Sequence, residues 1–369
     1  METKFKKVIF ENGRVFHGKG FGSDNEKVCE VVFNTSMVGY QEILSDSSNC
    51  DQIICMTYPL IGNYGLTDED YESKMPTVGG FIVREYNDNP SNYRYTRTLA
   101  DVMAEDGVVG IEITDTREIT RMLRNEGTMR AIIVDENKDE KEALETLKNT
   151  PIKHNHVEEV SCKKLWYSRT TNYKYNIIAV DCGIKRSMVR QLNAKNCNVI
   201  VVPYSITAEE VLELRPDGMF ISNGPGNPED VPCVVELVKA LKGKIPMFGV
   251  GLGHEIIALA YGAKVSKMKF GHRGVNHPVK NLADGTIEIV SYNHSYVVDK
   301  DSVKGIDLEI TQENVLDGTV AGLKCEKDKV FSVQHHPEIA PGPKDNHPLY
   351  DTFIKNVEDF KNERGDLNA

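Results

Sequence analysis

A run of glycines between an apolar strand and an apolar helix constrains the fold of this chain more than any other feature. Residues 245–250 form a short apolar segment that runs into Gly249-Val250-Gly251-Leu252-Gly253, and an apolar helical segment follows to Gly262. This order of strand, turn and helix is the layout of a nucleophile elbow, in which a sharp turn lifts one side chain above the end of a sheet. The flanking glycines let the strand and the helix pack closely around that turn. The central residue is Gly251, so the elbow is predicted to lack a nucleophilic side chain.

A second motif carries the two other residue types that a catalytic triad uses. An alternating strand over 330–334 leads into His336-Pro337-Glu338, which begins 85 residues after Gly251. A histidine can take the proton of a nucleophile while a carboxylate orients the imidazole ring. Taken alone, the tripeptide is more typical of an ordinary exit from a strand into a loop. Its position after the elbow favours the catalytic interpretation.

Glycines also occur in the loop Ser222-Asn223-Gly224-Pro225-Gly226-Asn227-Pro228, which follows a strand and precedes a helix. Such glycines let the backbone approach a ligand and aim N–H groups at developing negative charge. Ordinary turn chemistry explains the same residues equally well. On its own, this loop leaves both interpretations open.

The chain is predicted to contain two α/β domains joined by a linker. Residues 1–150 hold irregularly spaced strands, which indicates a smaller mixed domain with its own core. Residues 151–174 begin as a polar, proline-punctuated stretch and lack sustained periodicity, which is typical of a linker. In residues 175–365, strands and helices alternate, which predicts a parallel sheet with helices on both faces. This region is expected to become richer in strands after Lys264.

Hydrophobic periodicity and turn residues give the expected elements. The strands expected in the first half are Lys7–Phe10, Val28–Phe33, Ile53–Tyr58, Gly80–Arg84 and Arg130–Val134. Those expected in the second half are Asn176–Asp181, Asn198–Val202, Gly218–Ser222, Pro246–Val250, Thr286–Tyr292 and Val330–Gln334. The expected helices are Arg117–Asn125, Arg186–Lys195, a helix from a capping box at Thr207 to Leu214, and Val234–Leu241.

Composition argues against several other classes of protein. The formal net charge is −11 and no basic run occurs, so nucleic acid is not an expected partner. No window approaches about 18 uncharged apolar residues and no apolar leader is visible, which predicts a soluble cytoplasmic protein. The eight cysteines form no CxxC pair, so neither a zinc site nor a redox motif is indicated. Cys182 follows a strand but lacks the glycines of an elbow, and no catalytic role is predicted for it.

Taken together, the motifs resemble one family over nearly the whole chain. The second half carries Ser222–Gly226, the G-x-x-L-G-H run 249–254, Lys267–Gly274 with Asn276-His277-Pro278, and the H-P-E-x-x-P-G-P run 336–343. The first half carries Phe33–Met37, Gly39–Glu42, Tyr58–Gly65, Pro90–Asn92 and Asp115–Arg117. In this order and spacing they resemble the small subunits of carbamoyl-phosphate synthetases. The anthranilate and GMP synthetase glutaminases, which are other class I glutamine amidotransferases, share the elbow but lack the N-terminal domain.

The resemblance implies both a fold and a reaction. The fold is α/β, with a C-terminal flavodoxin-like class I amidotransferase domain built on a mostly parallel sheet and a smaller mixed α/β N-terminal domain. The family hydrolyses L-glutamine to glutamate and ammonia, and the ammonia passes through a tunnel to a large subunit. That large subunit makes carbamoyl phosphate from bicarbonate, using ATP and Mg. The resemblance therefore implies no cofactor in this chain and the large subunit as its partner.

The resemblance also implies the site residues. In this family a cysteine nucleophile stands at the position of Gly251, and the histidine and glutamate of the H-P-E motif act as its base and its orienting carboxylate. Ser48 would touch glutamine from the N-terminal domain. The glutamine-binding positions of the C-terminal domain would be Gly224, Gly226, Leu252, Glu255, Asn293, Ser295 and Tyr296. The N–H groups of Gly224 and Leu252 would form the oxyanion hole.

Departures from the family pattern cluster at this site. Gly251 stands in place of cysteine, Glu255 and Tyr292 in place of the usual glutamines, and Ser295 in place of the usual glycine. Two functions therefore stay open: an amidotransferase subunit with abolished or severely reduced glutaminase activity, or a non-catalytic subunit that supports ammonia-dependent synthesis by the large subunit. An unrelated hydrolase would need another nucleophile near His336, and the sequence identifies none.

Overall fold

The computed structural model describes residues 4–338, 340–342 and 348–366, with only the backbone at 364–366. Residues Ile339 and Pro343 of the 336–343 motif lie outside the described residues. The chain separates into two compact units, Met1–Lys153 and His154–Ala369. Across the described part of the chain, no helix combines the length and the apolar character needed to cross a membrane.

The first unit is built on a closed barrel of seven strands in the order β1-β2-β8-β6-β4-β3-β9. Its strands are β1 (Phe5–Phe10), β2 (Val15–Gly22), β3 (Val28–Asn34), β4 (Gln52–Met56), β5 (Leu60–Ile61), β6 (Gly80–Val83), β7 (Glu85–Tyr86), β8 (Val109–Glu112) and β9 (Met129–Asp135). Its helices are α1 (Tyr40–Ser45), α2 (Leu99–Glu105), α3 (Thr116–Glu126) and α4 (Glu140–Asn149). Strands β5 and β7 pair with each other outside the barrel. The expected mixed α/β domain is confirmed, with a barrel as its frame.

Alternating apolar residues of the barrel strands form one of the buried clusters of this unit. Val8, Val31 and Ile133 belong to this cluster, and α3 adds Ile119 and Leu123. The predicted helix at Arg117–Asn125 is confirmed and extends one residue further at each end. The Asp115 carboxylate accepts the N–H of Glu118 at the start of α3, and the helix ends at Gly127 with φ 105°.

The second unit is built on a ten-stranded sheet in the order β10-β12-β11-β13-β14-β19-β18-β17-β15-β16. Its strands are β10 (Trp166–Ser168), β11 (Tyr175–Asp181), β12 (Cys197–Pro203), β13 (Gly218–Ile221), β14 (Met247–Val250), β15 (Val265–Asn281), β16 (Ile287–Val298), β17 (Glu309–Asn314), β18 (Val320–Cys325) and β19 (Val330–Val333). Its helices are α5 (His156–Val160), α6 (Arg186–Ala194), α7 (Ala208–Glu213), α8 (Pro232–Leu241), α9 (Leu252–Ala260) and α10 (Leu349–Asp366).

The parallel part of this sheet is its five-stranded centre, β12-β11-β13-β14-β19. Strand β10 extends one side in antiparallel orientation, and β18, β17, β15 and β16 extend the other side. The expectation of a parallel sheet therefore holds for the centre, and the strand-rich region after Lys264 forms an antiparallel extension.

Helices cover both faces of the parallel centre, as the alternation predicted. Along β11, Ile178 and Val180 belong to the buried cluster that includes α8 and α9. Ile177 and Ala179, which point the other way, belong to the cluster that includes α6 and α10. The capping box is also confirmed, since the Thr207 hydroxyl accepts the N–H of Glu210, whose carboxylate accepts the N–H of Thr207.

Two expected segments differ in the structure. The predicted linker 151–174 contains α5 and the edge strand β10, whose short length and exposed aromatic residues hid its periodicity. The predicted strand Thr286–Tyr292 overlaps β16, which begins one residue later, continues to Val298 and pairs with β15 in a hairpin. Register shifts interrupt that hairpin between Lys267 and His272 and between Gly274 and His277, which disrupts the two-residue alternation expected of a strand.

Candidate active site

The elbow predicted from the glycine run is formed at the junction of β14 and α9. Gly251 has φ 58° and ψ −113°, and α9 begins at Leu252. The N–H of Gly251 donates to the carbonyl oxygen of Val333 on the neighbouring β19 (3.0 Å). Glycine takes this positive φ without the strain that a Cβ atom would add.

There is room for a side chain at this turn. A Cβ atom built on Gly251 would meet, apart from its chain neighbours, only Asn223, with the Cβ of Asn223 at 3.4 Å. The steric cost of a cysteine here therefore comes from the backbone conformation and not from a collision.

The flanking glycines are required by close packing of strand and helix. A Cβ atom on Gly253 would lie 2.3 Å from the carbonyl oxygen of Ile221, and one on Gly249 would lie 2.6 Å from Cδ1 of Ile257. These distances are far below ordinary contact, so no side chain fits at either position. The structure confirms the reason given for the glycines around the turn.

His336 and Glu338 lie just beyond the carboxyl end of β19, next to the end of β14. Nδ1 of His336 and Oε1 of Glu338 are 2.9 Å apart, and both side chains are buried. Because a carboxylate only accepts hydrogen bonds, Nδ1 carries the proton in this contact. In the neutral ring Nε2 is then the acceptor, and it is buried with no hydrogen-bond partner among the described residues. This is the state of an imidazole that can take up a proton.

Lys185 completes this cluster, and the sequence analysis missed it. Nζ of Lys185 lies 2.8 Å from Oε1 of Glu338, and it also donates to the carbonyl oxygen of Ala340. Burial favours a raised pKa for Glu338, but the Lys185 ammonium and the His336 imidazole hold that pKa well below its usual range. Glu338 is therefore a carboxylate. The available signal was position, because Lys185 follows β11 at the carboxyl edge of the parallel strands, where ligands of such sheets bind.

The glycine loop after β13 also lies at this edge. A Cβ atom on Gly224 would lie 2.2 Å from the carbonyl oxygen of Cys182, and Gly226 has φ 87°. No side chain therefore fits at Gly224, and the positive φ of Gly226 favours glycine. Leu252 opens α9, so its N–H is one of those that a helix leaves without an intrahelical acceptor. The assignment of Gly224 and Leu252 to an oxyanion hole stays a prediction.

Glu255 lies one turn into α9 and is buried. Its Oε1 accepts a hydrogen bond from Nε2 of Gln334 (3.0 Å), the residue that follows β19. Burial raises the pKa of Glu255 to about 8, so most of it is an uncharged acid at pH 7. An uncharged Glu255 is closer in character to the glutamine that is usual in the family than an ionised glutamate would be.

The departures Ser295 and Tyr292 both have local explanations on β16. The Ser295 hydroxyl accepts a hydrogen bond from the buried Arg273 on β15, which also donates to the carbonyl oxygen of Phe270. The Tyr292 ring is buried and packs against His272 among other rings. Arg273 pairs with Asn293 in the strand register, so its hydrogen bond to Ser295 stabilises the segment 293–296.

Ser48 belongs to the first unit. It lies in a 3-10 helix at Ser47–Asn49, and its N–H donates to the carboxylate of Asp46 (2.9 Å). The other predicted site residues all belong to the second unit. A contribution of Ser48 to the same site stays a prediction.

Comparison with known proteins agrees with this geometry. Residues 178–356 match the family described as glutamine amidotransferase class-I, and residues 8–133 match the carbamoyl-phosphate synthase small chain, CPSase domain. The second unit is thus a class I glutamine amidotransferase domain.

Relatives that match the whole chain are more specific. Carbamoyl phosphate synthase small chains of Bacillus cereus and Staphylococcus epidermidis are 48% and 46% identical over 362 residues, covering 98% of this chain and of each relative. The pyrimidine-specific small chain of Bacillus subtilis is 46% identical over 358 residues, covering 97% of both. The chain belongs to the family of carbamoyl phosphate synthase small chains.

Proposed function

We propose that this chain is the amidotransferase subunit of a glutamine-dependent carbamoyl-phosphate synthase whose own glutaminase step is severely reduced. It binds L-glutamine and assembles with a large subunit, which makes carbamoyl phosphate from bicarbonate with ATP and Mg. The observation that carries the proposal is Gly251, which stands at an otherwise complete elbow beside the His336–Glu338 pair. A cytoplasmic location stays a prediction.

The missing thiol removes covalent catalysis. Loss of the nucleophile of a catalytic triad costs on the order of 10⁶ in rate, judged from serine-protease triads. This corresponds to roughly 8 kcal/mol of transition-state stabilisation. His336 can still accept a proton, but activating a water molecule does not replace the covalent intermediate.

Cys182 offers no substitute nucleophile. Cys182, at the end of β11, is completely buried, and burial raises its thiol pKa well above the ordinary value. A buried thiol with a raised pKa is a poor nucleophile, because the thiolate is the reactive form. This argues against Cys182 as the nucleophile of an unrelated hydrolase on the same scaffold.

A glutaminase assay tests the proposal directly. Glutamate release from glutamine is measured with and without the large subunit for the unmodified chain, for Gly251→Cys and for Gly251→Ala. We expect background rates for the unmodified chain and for Gly251→Ala, and a clear gain for Gly251→Cys, because its Cβ atom fits. Gly251→Ala is the matched control, since it adds the same backbone strain without a thiol. Robust hydrolysis by the unmodified chain, with a thioester trapped on another cysteine, would overturn the proposal.

The second candidate function is a non-catalytic subunit that supports ammonia-dependent synthesis. The observation that favours it is that the elbow is formed, with Gly249 and Gly253 packed closely on either side of it, although Gly251 carries no nucleophile. Carbamoyl phosphate formation from ammonia by the mixed subunits, with no gain of glutaminase activity in Gly251→Cys, would support this candidate. Separate elution of the two subunits in size-exclusion chromatography at micromolar concentrations would contradict both candidates.

A further inference from the structure

A chain of hydrogen bonds connects the turn after β17 to the segment of β16 that carries Asn293, Ser295 and Tyr296. Oδ2 of Asp317 and Nε2 of His272 are 2.9 Å apart. Nδ1 of His272 and Nε2 of His294 are 3.2 Å apart, and Nδ1 of His294 lies 2.7 Å from the carbonyl oxygen of Tyr296. We refer to Asp317, His272 and His294 as the histidine relay.

The Tyr296 carbonyl oxygen, which His294 contacts, sets the direction of the hydrogen bonds in the relay. The Tyr296 carbonyl oxygen can only accept, so Nδ1 of His294 carries a proton. Burial and the neighbouring His272 lower the pKa of His294 well below its ordinary value, so the ring is neutral. Nε2 of His294 is therefore an acceptor, and the contact at 3.2 Å requires a proton on Nδ1 of His272.

Asp317, at the other end of the histidine relay, is ionised. Its Oδ1 accepts both the N–H and the hydroxyl of Thr319. Burial opposes ionisation, but the hydrogen bonds from His272 and Thr319 lower the pKa of Asp317 to about 2. Asp317 is thus a carboxylate, and its contact with Nε2 of His272 requires a second proton on that ring. His272 is an imidazolium ion held between an anion and a neutral imidazole.

The groups around His272 add no competing negative charge. On its own strand β15 it is followed by Arg273, and the His277 ring centroid lies 5.3 Å away. Burial lowers the pKa of His277 to about 4, so that ring is neutral. On β16 it faces His294 and, at 5.5 Å between centroids, Tyr292, whose pKa burial raises. Among the hydrogen-bond, ion-pair and ring partners described for His272, Asp317 alone supplies a negative charge.

We propose that Asp317 and His272 are positioning residues for glutamine. Their ion pair fixes the His294 ring, and that ring holds the Tyr296 carbonyl group and so the backbone of the segment 293–296. The proposal rests on the proposed function, in which this segment binds glutamine. Neither Asp317 nor His272 needs to touch the ligand, so their loss should weaken binding and leave the chemical step unchanged.

A matched pair of variants separates this role from that of a turn residue. In the hairpin between β15 and β16, the Asp284 carboxylate accepts the N–H and the hydroxyl of Thr286, as Asp317 does with Thr319. Asp284 is exposed and no histidine contact is described for it. Asp317→Asn and Asp284→Asn thus make the same change in the same kind of turn, and only the first removes the partner of His272.

The first readout is nuclear magnetic resonance of the imidazole nitrogens at pH 7. The unmodified chain should show His272 with both nitrogens protonated, and His277 and His294 as neutral rings. Asp317→Asn should convert His272 to a neutral ring, whereas Asp284→Asn should leave it charged. A neutral His272 in the unmodified chain would overturn the proposal without any variant.

The second readout is kinetic and uses the Gly251→Cys background. Asp317→Asn should raise the KM for glutamine on the order of tenfold, the effect of losing one hydrogen bond to a charged group, with little change in kcat. Asp284→Asn should change neither constant. An equal KM in the two variants, despite a neutral His272 in the first, would refute the positioning role. If Asp317→Asn does not fold, His272→Phe, which removes both ring contacts of His272, should raise the KM for glutamine instead, and an unchanged KM in that variant would refute the role.

A failure of the proposed function can be distinguished from a failure of the positioning role. If Gly251→Cys shows no glutaminase activity, glutamine binding is measured by calorimetric titration in place of KM. No binding to any form of the chain would refute the proposed function and the positioning role together. The charge of His272 would still be established by its resonance signature.

Discussion

Replacing Lys185 with methionine should destabilise the second unit strongly, because it leaves the Glu338 carboxylate buried without its ammonium partner. The two side chains are 3% and 0% exposed, and their charged atoms lie 2.8 Å apart. Removing one partner of a buried ion pair costs about 3–5 kcal/mol, since an uncompensated charge remains in the interior. Methionine fills much of the volume of the lysine stem, so the loss reports on the charge more than on packing.

A control and a double variant check that reasoning. Lys195 pairs with Asp351 at 2.6 Å, but these side chains are 32% and 59% exposed. Lys195→Met should therefore cost less than about 1 kcal/mol. Combining Lys185→Met with Glu338→Gln should recover part of the stability, because no buried charge is then left unpaired.

Trp166 provides the assay. It is the only tryptophan in the sequence and lies on β10, so its fluorescence reports on unfolding of the second unit in urea.

The pH dependence of stability adds a second check, because the folded pKa of Glu338 lies below an unfolded value of about 4.3. Its contribution to stability is present above that value and is lost as pH falls through the folded pKa. The difference between the unmodified chain and Lys185→Met should thus be largest near neutrality and shrink in acid. A loss no larger than that of Lys195→Met at pH 7 would refute the argument.

The remaining predictions concern the elbow and its helix, and each is measured by the same unfolding assay. Gly251→Ala should cost about 1–3 kcal/mol, because alanine must adopt the positive φ; an unchanged stability would contradict the strain. Gly253→Ala should cost more than Gly251→Ala, since its Cβ atom would lie 2.3 Å from the carbonyl oxygen of Ile221. Glu255→Gln should flatten the pH dependence of stability. Burial raises the folded pKa of Glu255 to about 8, so its contribution is present below the unfolded pKa of about 4.3 and is lost as pH rises through about 8.

The parallel centre of the second unit was predictable because the signals that indicate its strands and helices are local in the sequence. Strands buried on both faces, such as β11 and β12, read as continuous apolar runs, and the helices between them have capping and periodicity signals. The elbow was predictable for a related reason. Gly249 and Gly253 each meet a neighbouring atom closer than any side chain allows, so the fold requires those residue types at that spacing.

The antiparallel extension and the charged groups of the site were not predictable in this way. Strand β15 carries a buried histidine and a buried arginine, and its bulges break the alternation that reveals a strand. Lys185 has no sequence neighbour that explains its burial, because its partner Glu338 is 153 residues away. Contacts of that kind depend on which strand ends become neighbours, which periodicity does not encode.

The barrel of the first unit and the ten-stranded sheet of the second unit differ in whether they present a free edge to another chain. A closed barrel has no free edge, so the seven barrel strands of the first unit offer no backbone groups to another chain, and β5 and β7 outside it are only two residues long. The sheet of the second unit ends, within the described residues, at the three-residue β10 on one side and the twelve-residue β16 on the other. Strand β16 also exposes Ile287 and Ile289 near its start. Aggregation by strand pairing, in concentrated solution or during refolding, should therefore begin at β16, where a charged residue in place of Ile287 would suppress it.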